Sequence, residues 1–309
     1  MIGTITLNPS VDIRYTVEEF SIGSVTRVKQ VERTAGGKGL NVSRVATLVG
    51  EQVQAAGFLG GASGDFIRSE IKKSDIFDAF VQIQGETRSC HNIMGESVSS
   101  TELLEPGPYI DSQALEVFHQ TYERMLSECK VITASGSLPQ GIPQTYYNQL
   151  ITKANEKGVR FLLDTSGESL KAAVAAKPFF LKPNHEELEI LIGKKVSSEQ
   201  DIHEALQMLS DKGISFCVIS MGKKGSMAIV DGEKYRVTFP AVQAVNTVGS
   251  GDSFVAGIAV ALSRGYNAEE TLAFASACGT ANALESQTGF VQQETVDFLK
   301  QQVKVEKII

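Results

Sequence analysis

Short apolar runs alternate along this chain with segments in which apolar residues recur at helical spacing. The first run covers 2–7, and 39–49 follows with Leu40, Val45 and Leu48 near the spacing of one helical face. Runs of the first kind are typical of buried strands and segments of the second kind of amphipathic helices. The pattern continues with apolar runs at 53–58, 131–134, 161–163, 179–181 and 216–219 and with helical segments at 65–73, 114–129, 144–157, 185–192, 202–209, 250–264 and 268–285.

This alternation predicts a parallel sheet that is covered by helices on both faces. Two segments break it, because 12–33 and 86–105 are polar and β-branched and have no helical period. We expect these two insertions to pair with each other as a small β-sheet lid. No repeat, low-complexity tract or linker marks a second domain, so the sequence predicts a single α/β domain over 1–309.

Composition narrows the class of protein. Of 309 residues, 42% are hydrophobic and 21% charged, and apolar runs such as 255–262 are far shorter than the roughly 18–20 residues of a membrane span. The net charge of −7 argues against nucleic acid as a partner. The segment MIGTITLNPS lacks the features of a signal peptide, and the four cysteines are widely scattered. We therefore expect a reduced, cytoplasmic protein without disulfides or a zinc site.

The strongest candidate for chemistry is TVGSGDSFVAGIAVAL at 247–262. Gly249, Ser250 and Gly251 precede an unbroken helical pattern, and unpaired N–H groups at a helix N-terminus favour a bound phosphate. Asp252 follows in the first turn, where a carboxylate can take a proton from a hydroxyl that attacks the anion. The competing interpretation is an acidic residue that only complements the helix dipole.

A second glycine motif, TAGGKGLNVSRVA, covers 34–46. It is not a phosphate-binding P-loop, because Glu32 replaces the first required glycine and Gly39 replaces the required Ser or Thr. It opens a helix and places Gly37, Lys38 and Asn41 where a polar ligand can approach the backbone. A tight turn before an amphipathic helix is the alternative interpretation.

Five isolated polar residues are weaker candidates. Asp12 follows the first strand, where open α/β sheets bind ligands, but it also suits a turn. Asn184 and Glu187 have the spacing of a capping box, and the alternative is that both reach a metal–phosphate group through water. Arg27 and Arg88 lie in the two insertions, where cations can clamp a phosphate or remain solvated.

Taken together, GGKGLN near 40 and TVGSGDSFVAGI near 250 resemble the two signature regions of the ribokinase-like (PfkB) carbohydrate kinases. Their order and separation agree, so the resemblance covers essentially the whole chain. It implies a ribokinase-like, Rossmann-type three-layer α/β/α core with a small β-sheet lid, and phosphoryl transfer from ATP with Mg²⁺. The segments TLNPSVD, GETRSC, TELLEPGP, SGSLPQG and KPNHEEL are similar to the branch of the family that phosphorylates hexose phosphates.

The resemblance also implies roles for residues of this chain. Asp252 would be the catalytic base, the backbone of 249–251 the anion hole, and Glu187 an indirect Mg²⁺ ligand through water. The lid would pair two copies into a homodimer, with Arg27 acting as a phosphate clamp across that contact. The residues expected to hold the sugar phosphate are Asp12, Gly37, Lys38, Asn41, Arg88, Ser137 and Arg27, and those expected at the nucleotide are Asn184, Glu187, Ser220, Gly222, Gly225 and Asn282.

Two other functional classes fit the sequence less well. A non-catalytic sugar-phosphate sensor has no use for a base. The presence of Asp252 directly after the Gly249–Gly251 turn therefore argues against a sensor. A nicotinamide oxidoreductase would carry G-x-G-x-x-G after the first strand, and this chain does not. Lys38 and Arg88 favour a sugar that already carries a phosphate, because an unphosphorylated sugar would not require these cations.

Overall fold

The strands and helices of the computed structural model, which describes residues 1–95 and 98–308, follow the predicted alternation over most of the chain. The strands are β1 (Ile2–Thr6), β2 (Ser10–Val17), β3 (Gln30–Gly36), β4 (Val53–Gly60), β5 (Phe77–Asp78), β6 (Val81–Ile83), β7 (Arg88–Gly95), β8 (Val98–Leu104), β9 (Val131–Ser135), β10 (Arg160–Asp164), β11 (Phe180–Leu181), β12 (Phe216–Ser220), β13 (Ser226–Val230), β14 (Glu233–Thr238) and β15 (Lys304–Ile308). The helices are α1 (Lys38–Leu48), α2 (Gly61–Lys73), α3 (Ser112–Glu128), α4 (Tyr146–Glu156), α5 (Gly167–Val174), α6 (His185–Ile192), α7 (Glu199–Asp211), α8 (Ser250–Arg264), α9 (Ala268–Ala283) and α10 (Gln293–Lys300).

The central sheet is mixed. Its strand order is β15-β14-β13-β12-β11-β10-β9-β1-β4-β5, with β6 also paired to β4. The strands from β12 through β11, β10, β9 and β1 to β4 and β5 pair in parallel, whereas β12 to β15 pair antiparallel. The expectation of a wholly parallel sheet is therefore wrong at this edge. The antiparallel pairing of β13 and β14 has a local cause. Asp231 and Gly232 both adopt positive φ and form a two-residue hairpin turn between these strands. A turn this short can join only antiparallel strands, because parallel neighbours require a long crossover connection.

Helices cover both faces of this sheet, and alternate strand residues point into two separate cores. In β10, Leu162 joins the core beneath α1, α2 and α8–α10, while Phe161 and Leu163 join the core beneath α3–α7. The three-layer arrangement predicted from the sequence is confirmed. Among the described residues, no helix is long and apolar enough to cross a lipid bilayer.

Helix α2 begins at Gly61, four residues before its predicted start at 65. Glycine and serine in the first turn weaken a helix signal in the sequence. The N-cap residue Gly60 has no side chain that could accept a hydrogen bond. The Glu86 carboxylate, which is distant in the sequence, caps the helix instead: it accepts hydrogen bonds from the N–H groups of Ala62 and Ser63 at 3.2 and 2.7 Å. A carboxylate at this end also complements the helix dipole.

The two β-rich insertions form a second sheet, here called the lid sheet, in the order β3-β2-β7-β8. Strand β2 pairs antiparallel with β3 and parallel with β7, and so joins the two insertions. At the root of the lid sheet, where it meets the central sheet, Val11 and Ala35 are buried in the core beneath α1, α2 and α8–α10. Since β1, β9, β10 and β11 run parallel, their carboxyl ends meet at one edge of the central sheet, where ligands of open α/β sheets bind.

Candidate active site

A cleft of about 600 Å³ extends from the carboxyl edge of the central sheet to the lid sheet. Many residues singled out from the sequence line it together, although they come from distant parts of the chain. They are Asp12, Gly37, Lys38, Asn41, Arg88, Ser137, Gly249, Gly251 and Asp252. The other residues singled out do not line this cleft; they are Arg27, Asn184, Glu187, Ser220, Gly222, Gly225, Ser250 and Asn282.

Three glycines of the motif at 34–46 are each required for a different structural reason. A side chain on Gly36 would collide with the Asp12 carboxylate on the neighbouring strand. Gly37 has φ +105° at the N-cap of α1, a conformation that favours glycine. Gly39 brings α1 against β1, where a Cβ would collide with Thr6 Oγ1. The motif therefore fixes the start of α1 directly over the end of β1.

The start of α8 supplies unpaired donors. Gly249 is its N-cap with φ +82°, and its carbonyl accepts the Ser253 N–H at 2.8 Å. The Ser250 N–H donates to Thr247 O at 3.2 Å, so it is not free for an anion, contrary to its predicted place in the anion hole. The N–H groups of Gly251 and Asp252 have no acceptor within the described part of the chain. These two amides form the candidate anion hole.

The Asp252 carboxylate is buried beside these amides. Burial and the neighbouring charge of Asp164 raise its pKa to about 7, although the Asn41 amide, Lys38 and Lys182 act in the opposite direction. Asn41 Nδ2 donates to Asp252 Oδ2 at 2.8 Å. A carboxyl group with a pKa near neutrality exchanges protons readily at physiological pH, as a general base must.

An ion pair that the sequence did not predict faces Asp252. Lys38 Nζ lies 3.3 Å from Asp164 Oδ1, and Asp164 is the last residue of β10. Burial acts to lower the pKa of Lys38, but the carboxylates of Asp164, Asp252 and Glu187 outweigh it and the pKa is raised. Lys38 therefore stays charged while Asp164 fixes its position. The place of Asp164, directly after the predicted run 161–163, is the signal that could have identified it.

Lys182 is a second cation of the cleft, and it was not among the residues predicted from the sequence. It directly follows β11 and lines the cleft. A Cβ placed on Gly251 would lie 3.5 Å from Lys182 Nζ, so this ammonium group is close to the anion hole. Its position after the apolar run 179–181 follows the same rule of strand ends.

A separate group of polar side chains surrounds Asn8. The Arg88 guanidinium donates to Asn8 O from Nε and Nη2 at 3.2 and 3.0 Å, and to Glu105 O from Nη1 at 2.9 Å. Asn8 Nδ2 donates to Ser137 Oγ at 3.2 Å. Each Nη of Arg88 keeps one further N–H, because a guanidinium carries five donors. Arg88 and Ser137 thus share a corner of the cleft that suits a phosphate.

Asp12 points from the lid sheet into the cleft. Burial raises its pKa, while a hydrogen bond from Ser10 and the charges of Arg88 and Arg44 oppose the shift. Ser10 Oγ donates to Asp12 Oδ1 at 2.6 Å. The other carboxylate oxygen remains able to accept hydrogen bonds from sugar hydroxyls.

Comparison with known proteins identifies the family. The model of the "pfkB family carbohydrate kinase" matches residues 3–295. The chain belongs to the PfkB family of carbohydrate kinases. It is 42% identical to the tagatose-6-phosphate kinase of Staphylococcus epidermidis over 308 residues, which are 99% of each chain.

Solved kinases have the same architecture. Escherichia coli phosphofructokinase-2, in complex with potassium, superposes with a TM-score of 0.89 at 28% identity over 97% of this chain and 98% of that one. A protein described as a possible 1-phosphofructokinase from Thermotoga maritima gives 0.89 at 25% identity over the full length of both chains. The predicted ribokinase-like fold and the prediction of an ATP-dependent sugar kinase are confirmed.

In this PfkB kinase, Asn282 has a different place from the one predicted. Its side chain is fully buried, so it offers no surface to a nucleotide. Asn282 Nδ2 donates to Val248 O and Ser250 Oγ at 2.9 and 3.3 Å, and Oδ1 accepts from the N–H groups of Gly289 and Phe290 at 2.8 and 3.3 Å. Asn282 thus joins the loop before α8 to the loop after α9.

The other residues predicted to bind MgATP also lie outside the cleft, at the start of α6 and around the turn between β12 and β13. Asn184 caps α6, and its side chain and that of Glu187 form a complete capping box, with bonds of 2.8 and 2.9 Å. Ser220 ends β12, and the turn to β13 contains Gly222 and Gly225, both with positive φ. The capping interpretation of Asn184 is therefore correct, and a role at the nucleotide stays a prediction.

Arg27, the remaining predicted site residue of this kinase, is exposed in the segment between β2 and β3. Within one copy of the chain it does not reach the cleft lining. Its predicted role as a clamp therefore depends on a second copy and stays a prediction.

The raised pKa of Asp252 predicts the pH dependence of the kinase. With Asp252 as the predicted base, which must be ionised to accept a proton, kcat/KM is expected to rise about tenfold per pH unit below pH 7 and to level off above it. A sugar phosphate also titrates, near pH 6. The profile of Asn41→Ala separates the two ionisations, since losing a donor to Asp252 moves only the Asp252 limb to higher pH. A profile that is flat from pH 5.5 to 8 would contradict the assignment.

Proposed function

We propose that this protein transfers the γ-phosphoryl group of ATP to the free 1-hydroxyl of tagatose 6-phosphate, producing tagatose 1,6-bisphosphate. One observation carries the proposal. The buried Asp252 carboxylate lies beside the unpaired amides of α8, in the same cleft as the Arg88–Ser137 corner. The 42% identity to a tagatose-6-phosphate kinase along the whole chain supports the choice of substrate.

In the proposed reaction, Asp252 takes the proton of the 1-hydroxyl as its oxygen attacks the γ-phosphorus of ATP. The bond from phosphorus to the β,γ-bridging oxygen breaks, and ADP leaves. In the transition state, the negative charge of the transferred phosphoryl group would be stabilised by the amides of Gly251 and Asp252 and by the ammonium group of Lys182. Phosphoryl transfer depends mainly on such positioning and charge stabilisation, and one preorganised donor of this kind contributes roughly 3 kcal/mol.

The existing 6-phosphate would bind at the corner formed by Arg88 and Ser137. Arg88 is held by backbone carbonyls and still has donors that can form charge-assisted bonds to a phosphate. Asp12, Gly37, Lys38 and Asn41 would bind the sugar between this corner and Asp252. The lid sheet, which carries Asp12, would exclude water so that ATP is not hydrolysed.

Mg²⁺ would arrive as part of the MgATP substrate. The described residues contain no group of three or more His, Cys, Asp or Glu side chains arranged to hold a metal ion. This fits an ion held mainly by phosphate oxygens and water with few carboxylates. We propose that Glu187 and Asn184 reach it through water, and that Ser220, Gly222 and Gly225 form an edge of the nucleotide site.

The second candidate is phosphorylation of fructose 1-phosphate, favoured by the structural likeness to the Thermotoga maritima protein. The two reactions differ in which hydroxyl lies beside Asp252 and which phosphate lies beside Arg88. Fructose 6-phosphate differs from tagatose 6-phosphate only at C4, so we expect it to be a substrate as well.

The test is ADP release by the purified protein with MgATP and each of the three sugar phosphates. We expect kcat/KM for tagatose 6-phosphate to exceed that for fructose 1-phosphate by about 10²-fold, because a misplaced phosphate leaves buried polar groups unpaired. ATP without sugar is the control for hydrolysis. A preference for fructose 1-phosphate would select the second candidate, and no turnover with any hexose phosphate would refute both.

We also propose that two copies pair through the outer face of the lid sheet. By strand register, Val31 pairs with Tyr15 and Leu103 with His91, on the face of the lid sheet opposite to Asp12. Val31 and Leu103 are 44% and 57% exposed. Escherichia coli phosphofructokinase-2 has been solved in a tetrameric inhibited form, so assembly occurs in a related protein. Light scattering is expected to give a mass near twice 33.3 kDa, falling to one copy in Leu103→Asp. A monomer in the unsubstituted protein would contradict this proposal.

A further inference from the structure

Arg44 adjoins the candidate catalytic cluster, a name used here for Lys38, Asn41, Asp164 and Asp252. It lies on α1, three residues after Asn41 and therefore on the same helical face. Its Nη1 donates to Asn41 Oδ1 and to Thr288 O, both at 3.1 Å, and its Nη2 donates to Ala35 O at 2.6 Å. One guanidinium thus joins α1 to the root of the lid sheet and to the loop after α9. None of the roles derived above uses this residue.

The contact with Arg44 has a consequence for the Asn41 amide. A side-chain amide has one accepting oxygen and one donating nitrogen, and a guanidinium can only donate. The atom of Asn41 that faces Arg44 must therefore be Oδ1, which leaves Nδ2 to face Asp252 at 2.8 Å. Without Arg44, the amide is free to rotate by 180° and present its oxygen to the carboxyl group.

We infer that Arg44 is a positioning residue that fixes the orientation of the Asn41 amide and thereby keeps the Asp252 carboxylate ready to accept the substrate proton. The inference rests on the proposed function, because it assigns Arg44 to the same base. A rotated amide would accept a hydrogen bond from protonated Asp252 and so favour the protonated, inactive form.

The effect of Arg44 on the Asn41 amide can be separated from the effects of the other charged groups near Asp252. Asp252 is faced by Asp164 from β10, by Lys38 from α1 and by Lys182 after β11. On its other side, Arg44 is faced by the carboxylates of Asp12 and Glu70 in addition to Asp252. Burial lowers the pKa of Arg44 and these carboxylates oppose the shift, so the guanidinium stays charged and keeps its donors. Substitution of Arg44 leaves Asp164, Lys38 and Lys182 in place.

The experiment compares Arg44→Met with the unsubstituted protein by the pH profile of kcat/KM, using MgATP and tagatose 6-phosphate. Loss of a hydrogen bond to a charged group is expected to move the acid limb upward by about one pH unit. Activity at pH 7 then falls about fivefold and largely recovers at pH 9. Arg44→Lys keeps a donor near Asn41, and we expect it to restore most of the profile.

Arg264→Met is the matched control. The Arg264 guanidinium also bonds a backbone carbonyl, that of Val49, and pairs with Glu51, but it contacts no residue of the cluster. We expect it to lower Tm without moving the acid limb. If Arg44→Met lowers activity equally at every pH, or if Arg264→Met shifts the limb as much, the positioning role of Arg44 is refuted.

A second measurement separates this inference from the proposed function. Carbon-13 NMR of aspartate carboxyl groups follows the titration of Asp252 without any substrate, with Asp252→Asn used to assign its signal. We expect the same upward shift in Arg44→Met and no additional shift when Asn41→Ala is combined with it, because both act through one amide. If the unsubstituted protein phosphorylates no hexose phosphate but this shift occurs, the proposed function fails, while the control of the Asn41 amide and of the Asp252 titration by Arg44 stands. An unchanged titration in an active enzyme refutes the inference alone.

Discussion

Asp252→Asn is expected to lower kcat by about 10²–10⁴-fold while the affinity for the sugar phosphate is retained. Asparagine has nearly the same shape as aspartate and can still accept the hydrogen bond from Asn41, but it cannot take a proton from the sugar hydroxyl. Turnover is measured by ADP release, and binding by calorimetry with tagatose 6-phosphate.

The same substitution is expected to stabilise the fold, which provides a control against misfolding. The pKa of Asp252 is raised to about 7 from its ordinary 3.8, so the folded state holds this proton more tightly than the unfolded chain does. The stability contributed by the proton is present below about pH 4 and is lost as pH rises through 7. Asparagine does not lose it, so at pH 8 the variant should gain about 4 kcal/mol in its free energy of unfolding, and less at pH 5.

Two results would contradict the assignment of Asp252 as base. Turnover equal to that of the unsubstituted protein would show that another group accepts the proton. Loss of sugar binding together with turnover would mean that Asp252 holds the substrate. The alternative of a non-catalytic sugar-phosphate sensor is excluded when the unsubstituted protein is active and the stable variant binds sugar phosphate without turnover in the same assay.

The features that could be predicted from the sequence are those determined by neighbouring residues. The glycine motif around Gly37 predicts the start of α1, and the one around Gly249 predicts the start of α8, because positive φ and helix periodicity are both local properties. The pairing of the two insertions was also predictable, since each lacks a helical period and requires a partner strand.

Contacts between distant segments could not be predicted in the same way. Lys38 and Asp164 are separated by 126 positions, and only the strand order β1-β9-β10 brings them together. The start of α2 depends on Glu86, which belongs to the second β-rich insertion. The β15 strand is mostly exposed, so its residues carry no hydrophobic alternation from which an edge strand is recognised.

Asn282 has a structural place that differs from the one implied by the resemblance. The sequence places it near the end of α9, and the resemblance implied a contact with the nucleotide. The structure instead satisfies both its oxygen and its nitrogen with backbone groups of two loops. A buried amide with this many partners rigidifies the surrounding backbone, and here that backbone leads to the candidate anion hole.

Gly249→Ala, a substitution in that backbone, is expected to reduce kcat by about 10²-fold, with a smaller effect on KM. Gly249 has φ +82°, and a Cβ there would lie 2.8 Å from both Gly289 N and Thr288 Cγ2. The loop before α8 must therefore move, and with it the amides of Gly251 and Asp252. A displacement of about 1 Å at donors that stabilise a transition state costs on the order of 10²-fold in rate.

Gly265→Ala is the matched control for this substitution, because it lies at the opposite end of the same helix. Gly265 has φ +75°, but a Cβ there would meet no atom within 4 Å. Both variants place alanine in a left-handed conformation, which costs about 1–2 kcal/mol of stability, measured by urea denaturation. Gly249→Ala should lose more than this, because its Cβ also collides with the loop after α9. Only Gly249→Ala should lose turnover. If both variants keep the kcat of the unsubstituted protein, the amides at the start of α8 do not hold the transferred phosphoryl group, and the anion hole must lie elsewhere in the cleft.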